Sequence, residues 1–208
     1  MNQPTVTRWW WVRHAPAFRV NGGIYGNDDV PCDTTDEESF RGLARLLPDD
    51  AIWVTSHLSR TKLTAAAIVS GGATAPGPLI EQGLGEQGFG DWQGMTHAEV
   101  EAANPDLYHK FWLAPADHAP PGGESFVDVI ERVREVVERM TADHGGRDII
   151  VVAHGGTIRA ALAIALGVDA DRALPFCTEN LYVTRIDHVD GPGAGGDWRI
   201  FTVNQPPA

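Results

Sequence analysis

Cysteine is almost missing from this sequence. Its 208 residues include two, Cys32 and Cys177, too few for a disulfide framework or a cysteine-type zinc ribbon. Lysine is equally scarce: of 16 basic residues only Lys62 and Lys110 are lysine, and the others are arginine. Against them stand 28 acidic residues, for a formal net charge of −12. That balance leaves no basic footprint for nucleic acid or an anionic membrane, so neither partner is expected. No apolar run approaches the ~18 residues that a membrane span requires. The start, MNQPTVTRWWWV, lacks a charged n-region, a true apolar core and a cleavage site, so no signal peptide is expected. There is no H-E-x-x-H motif, and His57, His97, His109, His118, His144 and His188 show no metal-ligand spacing. Neither a metal nor a cofactor is expected. The reading is a reduced, cytoplasmic chain whose residues 1–208 form one domain with a cap-like insertion around 95–123.

What is present fits a globular protein. The chain is 43% apolar and 21% charged, an ordinary composition, and at this length folding buries roughly 70% of the unfolded chain's surface. Residues 8–12 are aromatic and β-branched and read as a buried strand, stopped by Pro16. Residues 21–33 are glycine-rich loop. Thr35-x-x-Glu38 is a capping-box pattern that opens a helix to about Leu47. Residues 51–55 read as a strand, 60–70 as a helix and 78–81 as a short strand. Thr96-x-x-Glu99 opens another helix, which ends near Asn104-Pro105. The helix over 124–141 is the clearest, with Phe126, Val129, Ile130, Val133, Val136, Val137 and Met140 on one stripe. A continuous apolar strand, DIIVVA, then runs up to His154, and Gly155-Gly156 leads into a helix over 157–166. Strands over 181–187 and 198–203 close the chain. Alternating helices and uniformly apolar strands predict an α/β three-layer sandwich with a mainly parallel central sheet and helices on both faces.

Open α/β sheets bind ligands beyond the carboxyl ends of their strands. Arg13 and His14 follow the first strand; Ser56, His57 and Arg60 follow the second; His154 follows DIIVVA; and Glu86 lies in a glycine-rich loop. Arginine forks match tetrahedral oxyanions. The N–H groups of Gly155 and Gly156 at a helix start form an anion site. A neutral imidazole is a nucleophile, and a loop carboxylic acid can protonate a leaving alkoxide and then activate water. This set fits phosphomonoester hydrolysis through a phosphohistidine, with no metal required.

The same residues carry a resemblance. Arg13-His14-Ala15, S-H-L-S-R-T-K-L-T-A from Ser56, L-G-E-Q-G-F-G-D-W-Q-G from Leu84, P-G-G-E-S from Pro121 and V-A-H-G-G-T-I-R from Val152 resemble, in order, the motifs of the histidine phosphatase superfamily, the phosphoglycerate-mutase-like group. The resemblance implies that His14 is the phosphorylated nucleophile. It implies that Arg13, Arg60 and His154 complete the phosphate pocket, with backbone contacts from Gly155, and that Glu86 is the proton donor. His57, close to Arg60, either contacts substrate or packs. The family's usual Arg-His-Gly is Arg13-His14-Ala15 here, Pro16 replaces the common Glu, and the spacing to Asn21 is one residue off the mutase pattern. A phosphatase is therefore expected, with a mutase or a non-catalytic phosphate-binding module as alternatives. G-I-Y-G-N-D-D-V-P-C from Gly23 to Cys32 is similar to the corresponding loop of bacterial α-ribazole phosphatases of cobalamin biosynthesis. This makes α-ribazole 5'-phosphate a candidate among small phosphorylated metabolites. The oligomeric state stays open, a homodimer being one option.

Other signals are weaker. Gly83 to Gly88 fits G-x-G-x-x-G, but no helix pattern follows, so a dinucleotide site is not expected. Trp92, Phe111 and Trp112 read as core, with a pocket wall as the alternative. The segment 95–123, with His97, Tyr108, His109 and Trp112, is where a cap that sets specificity belongs. Glu124 and Ser125 read as helix-capping residues.

Overall fold

Apolar residues on both faces of a strand demand cover on both sides, and the centre of this protein follows that rule. The computed structural model describes residues 4–18, 22–107 and 109–208; Asn21 and Tyr108 fall outside them. Six strands form one sheet: β1 (Thr5–Arg13), β2 (Ala51–Thr55), β3 (Leu79–Ile80), β4 (Asp148–Ala153), β5 (Val183–Asp190) and β6 (Trp198–Gln205). The spatial order is β3-β2-β4-β1-β5-β6. The first four strands in that order are mutually parallel, and β5 and β6 join antiparallel. Residues 149–153 of β4 are wholly buried. Ile149, Val151 and Ala153 pack with α4 (Phe126–Asp143) and α5 (Gly155–Leu166); Ile150 and Val152 pack with α1 (Glu37–Leu46) and α2 (Ser59–Ser70). This is the expected three-layer α/β sandwich.

The expected stripe of α4 is buried, apart from Ile130, which is half-buried. Several boundaries differ from the sequence reading for local reasons. Asp36, not Thr35, caps α1: its Oδ1 accepts from Ser39 N at 3.1 Å, while Thr35 is drawn to Asp33 through Oγ1 at 2.7 Å. A nearby carboxylate has out-competed the capping box. Ser125 caps α4 reciprocally with Asp128, and Glu124 is used elsewhere. α5 begins at Gly155, two residues before the expected Thr157. Thr157 Oγ1 accepts from His154 N at 3.1 Å and so closes the first turn one step earlier. The expected capping box at Thr96 and Glu99 is present and opens α3 (His97–Ala103). One further short helix, α6 (Ala170–Ala173), follows α5 and had no pattern of its own in the sequence. Among the described residues no helix is long and apolar enough to cross a membrane.

A third apolar cluster joins Ile24, Phe89 and Trp92 to Val100 and Ala114, with Leu107, Trp112 and Leu113 against it. It binds the 95–123 segment to the loops beyond β1 and β3. Trp92 is core, stacked on His118, whereas Phe111 is exposed, contrary to its reading as core.

Candidate active site

Three neighbouring parallel strands end almost level. Arg13 of β1 pairs with Ala153 of β4, and Thr55 of β2 pairs with Val152. The next residues, His14, Ser56 and His154, therefore arrive side by side at strand spacing, about 4.8 Å. All three are fully buried, and the His14 and His154 rings sit 5.1 Å apart between centroids.

Hydrogen bonds fix both rings. His14 Nδ1 lies 2.6 Å from the Ala15 carbonyl. A carbonyl only accepts, so Nδ1 carries the proton and the lone pair lies on Nε2. The backbone at residue 15 does this work: Ala15 is fully buried, and its N–H donates to Thr64 Oγ1 at 2.9 Å. These contacts come from the backbone, and the small Ala15 side chain takes no part in them.

Arg60 Nε donates to His154 Nδ1 at 3.2 Å, and His154 Nε2 lies 2.8 Å from Ser56 Oγ. Arginine has no acceptor, so Nδ1 is unprotonated, Nε2–H points to Ser56 and His154 is neutral. Burial is the main force holding its pKa well below the usual histidine value, and the neighbouring Arg60 guanidinium adds to it. Arg60 is also fully buried. Its Nη1 and Nη2 donate to the carbonyls of Asp28 and Gly26, each at 2.7 Å, and its guanidinium stacks over Tyr25 at 4.9 Å. Burial lowers its pKa as well.

Arg13 donates through Nη1 to the Thr178 carbonyl, and its buried Nε has no partner. Arg13, Glu86, Gly155, Tyr25, Trp112 and Arg159 border a cavity of about 150 Å³. Among the described residues, no carboxylate lies within ion-pair reach of Arg13, Arg60 or Arg159. Buried guanidinium charge without a carboxylate is expensive to maintain, and here it is concentrated where an anion can enter.

Glu86 meets the start of α5. Its Oε1 accepts from Gly156 N at 3.1 Å and Gln87 N at 3.0 Å, and Oε2 is 3.4 Å from Gly156 N. The expectation that both glycine N–H groups serve an incoming anion is thus corrected for Gly156: the protein's own carboxylate takes it. A Cβ on Gly156 would collide with Glu86 Oε1, so a side chain there would push the carboxylate from this position. The loop holding Glu86 is braced from α4. Arg132 pairs bidentately with Glu124, both contacts at 2.9 Å, and its Nη1 donates to the carbonyls of Gly83 and Gly85. Glu124 in turn accepts from Gly88 N at 3.0 Å. Its task is bracing, not helix capping.

His57 stands apart. Among the described residues its side chain has no hydrogen-bond partner, with Nδ1 buried, and its Cε1 abuts Gly85. The structure does not bring it to Arg13 or His154. Two residues without an assigned role in the sequence belong to the site: Tyr25, under Arg60, and Arg159, at the cavity wall. Arg159 had one available signal: it is four residues after Gly155, on the same helical face.

A buried histidine held neutral has a consequence for stability. The unfolded chain protonates its histidines below pH about 6.5, while native His154 stays neutral to lower pH. The unfolded state then binds more protons, so stability rises with pH across that window and is lost as pH falls through it. Urea melts between pH 7.5 and 5.5 should show a smaller loss of stability in His154→Asn than in the wild type.

Comparison with known proteins agrees with this geometry. The family model "Histidine phosphatase superfamily (branch 1)" matches residues 9–200. The chain is 42% identical over 165 residues to a glucosyl-3-phosphoglycerate phosphatase of Mycolicibacterium vanbaalenii, covering 73% of this chain and 72% of that one. It is 26% identical over 202 residues to the adenosylcobalamin/alpha-ribazole phosphatase of Escherichia coli, covering 95% and 91%. It spans 30% of the length of some longer mycobacterial relatives that it also matches. A solved structure described as mycobacterial hydrolase 2 superposes with a TM-score of 0.81 at 27% identity, covering 98% of this chain and 93% of that one. With its motifs placed on one sheet edge, the chain belongs to the histidine phosphatase superfamily.

Proposed function

We propose that His14 Nε2 attacks the phosphorus of a small phosphomonoester and forms a phosphohistidine that water then hydrolyses. The observation that carries this reading is the orientation of His14. Its Nδ1 proton is committed to the Ala15 carbonyl, so the lone pair on Nε2 is set before substrate arrives. The family together with its phosphatase relatives makes the chain a phosphoric monoester hydrolase.

Each remaining group has a place in the proposed reaction. Arg13 and Arg60 hold the equatorial phosphate oxygens, whose charge needs fixed positive partners more than covalent help. His154 lines the phosphate pocket as a neutral group with its Nε2–H held by Ser56, and the N–H of Gly155 adds a backbone donor at the α5 start. Glu86 is the proton donor. Oε1 is fixed by two backbone N–H groups, and Oε2, on the longer contact, delivers the proton to the leaving alkoxide as the ester bond breaks. The same carboxylate then takes a proton from the water that attacks the phosphohistidine. His57, away from the cavity wall, serves packing in this scheme. The only partner required is a small phosphorylated metabolite. The names of the relatives supply two candidates, glucosyl-3-phosphoglycerate and α-ribazole 5'-phosphate.

One ionisation must be absent and another present, so hydrolysis of p-nitrophenyl phosphate should follow a bell-shaped pH profile. Turnover should persist with chelator and disappear in His14→Ala. Unchanged turnover in that variant would sink the mechanism. Gly156→Ala should displace the Glu86 carboxylate and lower kcat about 100-fold, with inhibition by inorganic phosphate little altered. An unaffected kcat would remove Glu86 from the proton-donor role.

A further inference from the structure

Arg159 has no part in the scheme above, yet it is built into the cavity. It lies on α5, and its Nε donates to the Phe176 carbonyl at 2.9 Å. Its guanidinium lies over the Trp112 ring at 4.8 Å from the centroid. Two anchors therefore hold the group in place, one from the backbone and one from the 95–123 segment. Its two Nη atoms have no hydrogen-bond partner among the described residues, and the residue borders the cavity beside Arg13 and Glu86. The burial is substantial enough to bring its pKa down to about 10. A Cβ built on Gly155 would lie 3.1 Å from Arg159 Nη1 and 3.6 Å from Arg13 Cζ. Two guanidinium groups thus converge beside one glycine with no carboxylate paired to either.

Like charges held this close in a partly dry site need negative charge. A single phosphate on His14 is served by Arg13 and Arg60, which leaves Arg159 over. With Nε already engaged, what Arg159 offers is the end-on fork of Nη1 and Nη2. That fork matches the two oxygens of a carboxylate. Arg159 and Arg13 border the same cavity of about 150 Å³ and meet beside Gly155, so the second group lies close to the first.

We propose that Arg159, supported by Trp112, is a specificity-determining residue that receives a carboxylate of the substrate a few bonds from the phosphate ester. The assignment rests on the phosphatase reading above and narrows its substrate class to phosphorylated hydroxy acids. Of the two candidates named there, only glucosyl-3-phosphoglycerate carries a carboxylate.

The test is a ratio. The pair 3-phosphoglycerate and glycerol 3-phosphate differ in a carboxylate replaced by an uncharged hydroxymethyl group. In the wild type kcat/KM should favour the carboxylate by about 100-fold, since a site built to bond a charged group rejects the analogue that lacks it. The ratio should collapse towards one in Arg159→Met, mainly through KM, and recover in part in Arg159→Lys. A merely structural role would lower both substrates together and preserve the ratio, which would overturn the proposal. So would a wild-type ratio near one, or a stronger preference for glycerol 1,3-bisphosphate than for 3-phosphoglycerate. Loss of glycerol 3-phosphate hydrolysis in His14→Ala checks the underlying phosphatase reading separately, because that substrate lacks the group Arg159 is proposed to hold.

Discussion

The hydrogen bond from Arg60 Nε to His154 Nδ1 is the contact on which the rest of the site depends. It ties the start of α2 to the end of β4, and it determines the protonation of the histidine between them. Because Arg60 can only donate, His154 must present its other nitrogen as N–H, which locks Ser56 into the same chain. The remaining Arg60 nitrogens reach two carbonyls of the loop beyond β1. One buried side chain thus gathers three segments distant in sequence around His14. Its charge is stabilised there by carbonyl dipoles and an aromatic face, without a carboxylate. That leaves the pocket attractive to an anion although the whole chain carries a net charge of −12: the field that acts on a ligand is local.

The proton donor is held differently. Glu86 lies on an irregular loop, and no regular element positions it. Arg132 and Glu124 supply what the loop lacks. Their bidentate pair joins α4 to the carbonyls of Gly83 and Gly85 and to the N–H of Gly88, on both sides of Glu86. The carboxylate itself closes on the first turn of α5. The nucleophile thus sits on the rigid sheet edge, and the acid is suspended between two helices. Trp112 adds a link to the same loop, since its Nε1 donates to Gln87 Oε1 at 3.2 Å.

The fold was legible because its strands are apolar on both faces and its helices carry stripes; only a buried parallel sheet makes sense of DIIVVA beside the stripe of α4. The placement of Arg13, His14, Arg60, Glu86 and His154 near one end of the sheet was legible because strand ends and glycine-rich turns are where such residues gather. What stayed hidden was set by contacts between residues far apart in the chain. Nothing near Gly156 indicates that its N–H belongs to a carboxylate at position 86. Nothing near Arg159 indicates Trp112 as its support. His57, left open between substrate contact and packing because it is close to Arg60, is directed by the turn after β2 towards Gly85. Thr35 was misread as a cap because Asp33, two residues earlier, is the stronger claim on its hydroxyl.

The orientation of His14 is the centre of this account, and trapping the phosphoenzyme tests it most directly. Wild-type protein is mixed with a phosphomonoester, quenched in alkali after milliseconds, where phosphohistidine survives, and digested for mass and 31P NMR analysis. The account predicts one phosphoryl group, on His14, bonded to Nε2. Phosphorylation at Nδ1, at another residue, or turnover with no phosphoenzyme at any time point would contradict it.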